Sequence, residues 1–110
     1  MIKEETANQV KDMMISVVES GFGKKAGVPG FQVAGKTGTA QIPKAGGGYE
    51  ENIYIHSFAG FAPANDPRFA MLVKLDKPKS ALYAESTAAP LFGQIASFLL
   101  NNYYRIPANN

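Results

Sequence analysis

The run Phe69-Ala-Met-Leu-Val-Lys-Leu75 is almost continuously apolar, interrupted by a single lysine. A strand open to water on one side alternates apolar and polar residues, so an unbroken run of this kind predicts a strand covered on both faces and flanked on both edges. The chain supplies few neighbours for it. Ile53 to Ala62 is strand-like, and the six turn-forming residues Pro63 to Arg68 join it to Phe69–Asp76 as an antiparallel hairpin. Phe31 to Ala40 opens with strict alternation, Phe31, Val33 and Gly35 on one face and Gln32, Ala34 and Lys36 on the other, which predicts a half-buried strand. Three strands in sequence order leave the most apolar one at an edge. Part of the sheet is missing from this stretch of chain.

Two helices complete the pattern. From Lys3 to Ser20, Ala7, Val10, Met14 and Val17 recur at spacings of three and four, Met13 and Val18 widen the stripe, and Gly21 and Gly23 stop it. The second helix starts after Ser86 or Thr87 as N-cap, holds Pro90 in its first turn, and carries a broad, heavily buried face of Leu91, Phe92, Ile95, Phe98, Leu99 and Tyr103. Between the first two strands, Gln41 to Asn52 contains Pro43 and Gly46-Gly47-Gly48 and reads as a long mobile loop. The fold class is α+β, a three-stranded antiparallel sheet with flanking helices, and residues 1–110 form a single, incomplete domain.

Composition narrows the function. Eleven basic and nine acidic residues give a net charge of +2 without a basic stripe, which excludes a nucleic-acid footprint. With no cysteine there is no thiol nucleophile, disulfide framework or thiolate metal site, and zero cysteine suits an oxidising compartment. The opening Met1-Ile-Lys-Glu-Glu lacks the pattern of a secretory signal, and no apolar run reaches the ~20 residues that span a bilayer. An extracytoplasmic address would have to lie on other chain.

Gly30-Phe-Gln-Val-Ala-Gly-Lys-Thr37 fits the phosphate-loop pattern G-x-x-x-x-G-K-[ST]. That loop needs a strand before it and a helix starting at its Lys-Thr. Here the strand lies where the bend should be, and Gly38-Thr-Ala-Gln-Ile-Pro43 is a poor helix start. One frame along, Lys36-Thr37-Gly38 on a strand places a cation beside a position with no side chain, so that a substrate backbone can lie along the strand edge. Thr37 and Thr39 add hydroxyls able to bind a carboxylate.

Lys36-Thr-Gly-Thr-Ala40 resembles the K-T-G element of penicillin-binding proteins and serine β-lactamases. The likeness extends over Val33 to Gln41, a glycine-rich loop, Ser57-Phe-Ala-Gly-Phe-Ala-Pro63 with Asp66-Pro67, the apolar strand, and Ala88-Ala-Pro-Leu-Phe92. The chain is therefore similar to the C-terminal third of the transpeptidase domain of class B penicillin-binding proteins, the division type above others. The resemblance implies a fragment of the five-stranded penicillin-binding/β-lactamase-like fold, whose two remaining strands, from the N-terminal part of the domain, pair against Phe69–Asp76. It implies that Lys36 supplies positive charge and assists the proton relay, that Thr37 and Thr39 bind the terminal carboxylate of a D-Ala-D-Ala stem peptide or a β-lactam, that the backbone N–H of Thr39 is an oxyanion-hole donor, and that Gly38 keeps the strand edge open. No cofactor or metal is implied. The expected location is the extracytoplasmic face of the bacterial cytoplasmic membrane, with the anchor on other chain.

The family's nucleophile is the serine of S-x-x-K, with S-x-N nearby. None of Ser16, Ser20, Ser57, Ser80, Ser86 and Ser97 has a lysine at that offset. The nucleophile is expected on chain before Met1, the isolated chain is expected to be inert, and the exposed edge 69–76 is expected to drive self-association. Alternatives are a stand-alone D-Ala-D-Ala or peptidoglycan-binding module, a β-lactamase-like hydrolase fragment and a nucleotide binder. Other residues read as structural: His56 as a strand histidine near the surface, Glu50-Glu51 as a solvated loop tip, Met13-Met14 as core, and Tyr103-Tyr104 as packing or helix capping.

Overall fold

A computed structural model describes residues 1–79 and 83–108. Helix α1 (Glu4–Ser20) leads through a short 3-10 turn, Lys24–Ala26, to strands β1 (Ala34–Pro43), β2 (Tyr49–Ala62) and β3 (Phe69–Asp76). Helix α2 (Ala88–Phe98) follows the turn Ala84–Ser86 and runs on into a π-helical turn, Leu99–Tyr103. The strands form one antiparallel sheet in the order β1-β2-β3, which leaves β1 and β3 as the outer strands. Architecture and order match the sequence reading, and β3 has the bounds expected of it.

Register divides the sheet into two faces. Gly35 opposes Gly60, Thr37 opposes Phe58 and Thr39 opposes His56, so these six share one face, continued on β3 by Val73 opposite Phe58 and Leu75 opposite His56. Lys36, Gly38, Ser57 and Ala59 lie on the other. Helix α2 seals the first face, with the Phe58 and Phe92 rings 4.7 Å apart and both buried. The helix comes this close because Gly60 has no side chain. A Cβ there would lie 2.5 Å from the carbonyl oxygen of Ala34 and 2.9 Å from Phe92 Cζ.

Several boundaries differ from expectation. Phe31 is not in a strand but closes a turn through its N–H to the Val28 carbonyl (3.1 Å), and β1 begins at Ala34. Val33, Ala34 and Gly35 are consecutively buried, because the chain entering the sheet is covered on both sides and alternation is lost. The long loop is also shorter than expected. Pairing continues outward as far as Pro43 opposite Tyr49, leaving only Lys44 to Gly48 as a turn. Gly46, Gly47 and Gly48, at φ of 90°, 104° and 75°, adopt the left-handed backbone that this tight reversal demands. Glu50 and Glu51 consequently belong to β2 rather than to a loop, and as successive strand residues they face opposite ways.

The helices bury less than their patterns suggested. In α1 only Val18 is fully buried; Ala7 and Val10 are exposed, Met14 is half-buried, and Met13, read as core, is 61% exposed. In α2 the buried stripe is Ala88, Ala89, Phe92, Gly93 and Ala96, continued by Leu100, whereas Ile95, Phe98 and Tyr103 face outward. Each helix presents a wider apolar face than this chain can cover, so the small residues and one phenylalanine pack while the larger ones stand clear. Tyr104 packs against the sheet, stacked on Phe69 at 6.1 Å with the Arg68 guanidinium 5.4 Å from its ring centre.

Candidate functional site

Strand β1 passes straight through Lys36-Thr37-Gly38-Thr39, which removes the phosphate-loop geometry: no helix starts at Thr37. Lys36 is exposed on the outer strand, and its ammonium curls back to donate to the Thr37 carbonyl (2.9 Å) and to Thr37 Oγ1 (3.3 Å). Two residues along, Thr39 Oγ1 accepts a hydrogen bond from the Ala84 N–H at 3.3 Å. Both threonine hydroxyls thus already accept a bond. Each keeps its own proton to donate, and a carboxylate is a strong acceptor for two such protons.

These hydroxyls open into a cavity of about 440 Å³ lined by Phe22, Thr37, Thr39, Tyr83, Ala84 and Glu85. Its size falls within the range of small-ligand sites. Lys36 and Gly38 are not among the lining residues. Gly38 serves a different neighbour: a Cβ at this position would lie 2.6 Å from Ser57 Oγ, so the serine opposite uses the space that the glycine leaves.

The segment 83–87, of which Tyr83, Ala84 and Glu85 line the cavity, is fastened to the sheet at two points. One is the Ala84–Thr39 bond. The other lies deeper, where His56 Nδ1 and Thr87 Oγ1 share a hydrogen bond of 2.6 Å. His56 is fully buried, not near the surface as its place in the strand suggested, because it faces α2 rather than solvent. Thr87 is the N-cap residue by position, yet its hydroxyl caps no helical N–H; the histidine has taken it. Ser86 belongs to the preceding 3-10 turn.

Of the residues singled out in the sequence, the fold brings Thr37 and Thr39 into one cavity with Lys36 bonded to its edge. Sequence reasoning missed Phe22, Tyr83, Ala84 and Glu85, which come from two segments far from the strand motif. Only Phe22, a lone aromatic between Gly21 and Gly23 that is 75% exposed, carried a local signal. Ser80, one of the six serines, lies outside the described residues. No cluster of three or more metal-binding side chains occurs among the described residues, and no described helix is long and apolar enough to cross a membrane.

Comparison with known proteins agrees with this arrangement. Residues 1–97 match the family model for the penicillin-binding protein transpeptidase domain. Penicillin-binding protein PbpB of Mycolicibacterium smegmatis is 44% identical over 113 residues, covering 94% of this chain and 17% of that protein. Stage V sporulation protein D of Bacillus subtilis is 47% identical over 96 residues, covering 86% of this chain and 15% of the relative. Among solved structures, the apo transpeptidase domain of Burkholderia pseudomallei penicillin-binding protein 3 superimposes with a TM-score of 0.85 at 35% identity, over 96% of this chain and 32% of that one. The chain spans about a sixth of the length of these two curated relatives.

Proposed function

Because the chain belongs to the penicillin-binding protein transpeptidase family, class B and division type, we propose that it is the C-terminal part of a serine D,D-transpeptidase that cross-links peptidoglycan stem peptides and is acylated by β-lactams. The observation that carries this reading is the pair of hydroxyls at Thr37 and Thr39, each already accepting a bond and each aimed by β1 at one cavity. Two proton donors at alternate positions of an outer strand suit the terminal carboxylate of a D-Ala-D-Ala peptide or the carboxylate of a penicillin. Lys36 adds positive charge at the same edge and supports proton transfer.

In this reading a serine on the preceding part of the domain attacks the carbonyl of the D-Ala-D-Ala bond. The backbone N–H of Thr39 and that of the serine steady the oxyanion, D-alanine leaves, and an acceptor amine resolves the acyl-enzyme. Loss of one oxyanion donor of this kind slows such reactions by ~100- to 1,000-fold. The preceding part of the domain also covers Leu72 and the outer edge of β3, and the full protein works at the extracytoplasmic face of the cytoplasmic membrane.

Intact-mass analysis after exposure to benzylpenicillin tests the proposal. The full-length protein should gain one penicilloyl group and the 110-residue chain none. An unlabelled full-length protein rules out the transpeptidase reading, whereas a covalent adduct on the short chain shows that the nucleophile has been misplaced.

A second reading, a stand-alone module that binds D-Ala-D-Ala peptides without chemistry, is favoured by one observation: the two hydroxyls reach the cavity on a chain in which no serine has the S-x-x-K spacing. Sequencing upstream of the Met1 codon separates the two. An open frame with S-x-x-K and S-x-N supports the transpeptidase; a stop codon supports the module.

A further inference from the structure

We propose that Glu85 makes the cavity selective for ligands that carry an ammonium group as well as a carboxylate, an inference that rests on the transpeptidase reading and concerns its substrate preference. Glu85 lies half-buried in the cavity wall, and among the described residues its carboxylate forms neither an ion pair nor a hydrogen bond. Two aromatic residues line the same cavity, Phe22, and Tyr83 at 60% exposure, so aromatic surface is available to whatever occupies it. A carboxylate without a partner, set among π-faces, is a site for a cation: the charge supplies the attraction and the rings add cation–π stabilisation while shedding water.

The fixed cation nearest in sequence to the cavity threonines does not meet that need. The Lys36 ammonium is engaged with Thr37, and Lys36 is not part of the lining. The cavity therefore has two chemical poles, proton donors at Thr37 and Thr39 and a carboxylate at Glu85. A ligand that satisfies both is zwitterionic, such as a peptide or β-lactam with a free amine on the side-chain portion. A ligand bearing only a carboxylate leaves Glu85 desolvated without compensation, which costs affinity.

Ampicillin and benzylpenicillin differ by one amine on the side-chain carbon and share the same carboxylate and ring. The experiment measures second-order acylation rate constants for both drugs on the full-length protein, as wild type, Glu85→Gln and Glu85→Asp. The ratio of the two constants cancels any difference in folded fraction, because both drugs report on the same protein. The ampicillin-to-benzylpenicillin ratio should fall about fivefold in Glu85→Gln, the scale of a partly screened ion pair, and should largely survive in Glu85→Asp. An unchanged ratio in Glu85→Gln overturns the proposal and leaves the transpeptidase reading intact. Failure of both drugs to acylate the wild type overturns the reading itself, and the proposal with it.

Discussion

His56 and Thr87, 31 residues apart in sequence, share a 2.6 Å hydrogen bond inside the molecule, and through it the start of α2 is tied to β2 directly opposite Thr39. The bond joins the start of α2 to the strand that pairs with the one carrying the site. Thr87→Val keeps the side chain's shape but removes the hydroxyl of this bond, and should lower stability by about 1–2 kcal/mol, whereas Thr87→Ser should cost less. Denaturant midpoints for the two variants check this; equal midpoints for Thr87→Val and the wild type would mean that the bond contributes nothing.

Glycines that look alike in the sequence should respond differently. Gly60→Ala forces a methyl against the Ala34 carbonyl and the Phe92 ring, where backbone cannot yield, and should cost about 3 kcal/mol, the upper end for an overpacked core. Gly46→Ala meets no atom within 4 Å, and its cost is limited to the left-handed backbone, about 1 kcal/mol. Paired thermal melts of the two variants should show the larger loss at Gly60.

Removal of the proton donor at Thr39 without change of shape should weaken productive binding. In the full-length protein, Thr39→Val should reduce the β-lactam acylation rate constant by roughly tenfold, the value of one charge-assisted hydrogen bond. Lys36→Ala should reduce it further, because the charge and the bond to Thr37 go together. Stopped-flow acylation rates provide the measurement, and a Thr39→Val rate equal to wild type would remove the hydroxyl from the carboxylate subsite.

The outer edge of β3 should make the short chain associate with itself. Leu72 is 66% exposed on a strand with an unpaired edge, which is a template for pairing with another copy. Sedimentation velocity at rising concentration should show oligomers of the 110-residue chain, and Leu72→Lys should return it to monomer. A monodisperse wild-type monomer at high concentration would refute this expectation.

The strands and helices were legible because their signals are local. Phe69 to Leu75 is apolar but for Lys74, Pro63 to Arg68 is built of turn formers, and Gly21 stops α1 where the apolar periodicity ends. The Lys36-Thr37-Gly38-Thr39 motif was legible because strand geometry alone fixes which of its side chains share a face. Errors arose where pairing partners decide the outcome. Whether Gln41 to Asn52 forms a loop or the ends of two strands depends on cross-strand bonds that no single segment contains. Whether Met13, Ile95 and Phe98 are core depends on what chain lies over them.

The sequence by itself determined the α+β class, the antiparallel hairpin, and the strand that carries the lysine and the two hydroxyls, since each follows from the period and residue chemistry of a contiguous stretch. Only the tertiary structure decided that His56 is buried, that Thr87 bonds to it instead of capping α2, and that Phe22, Tyr83 and Glu85 surround the threonines in one cavity. Those relationships join residues tens of positions apart, and they exist only once the sheet has paired and α2 has closed over it.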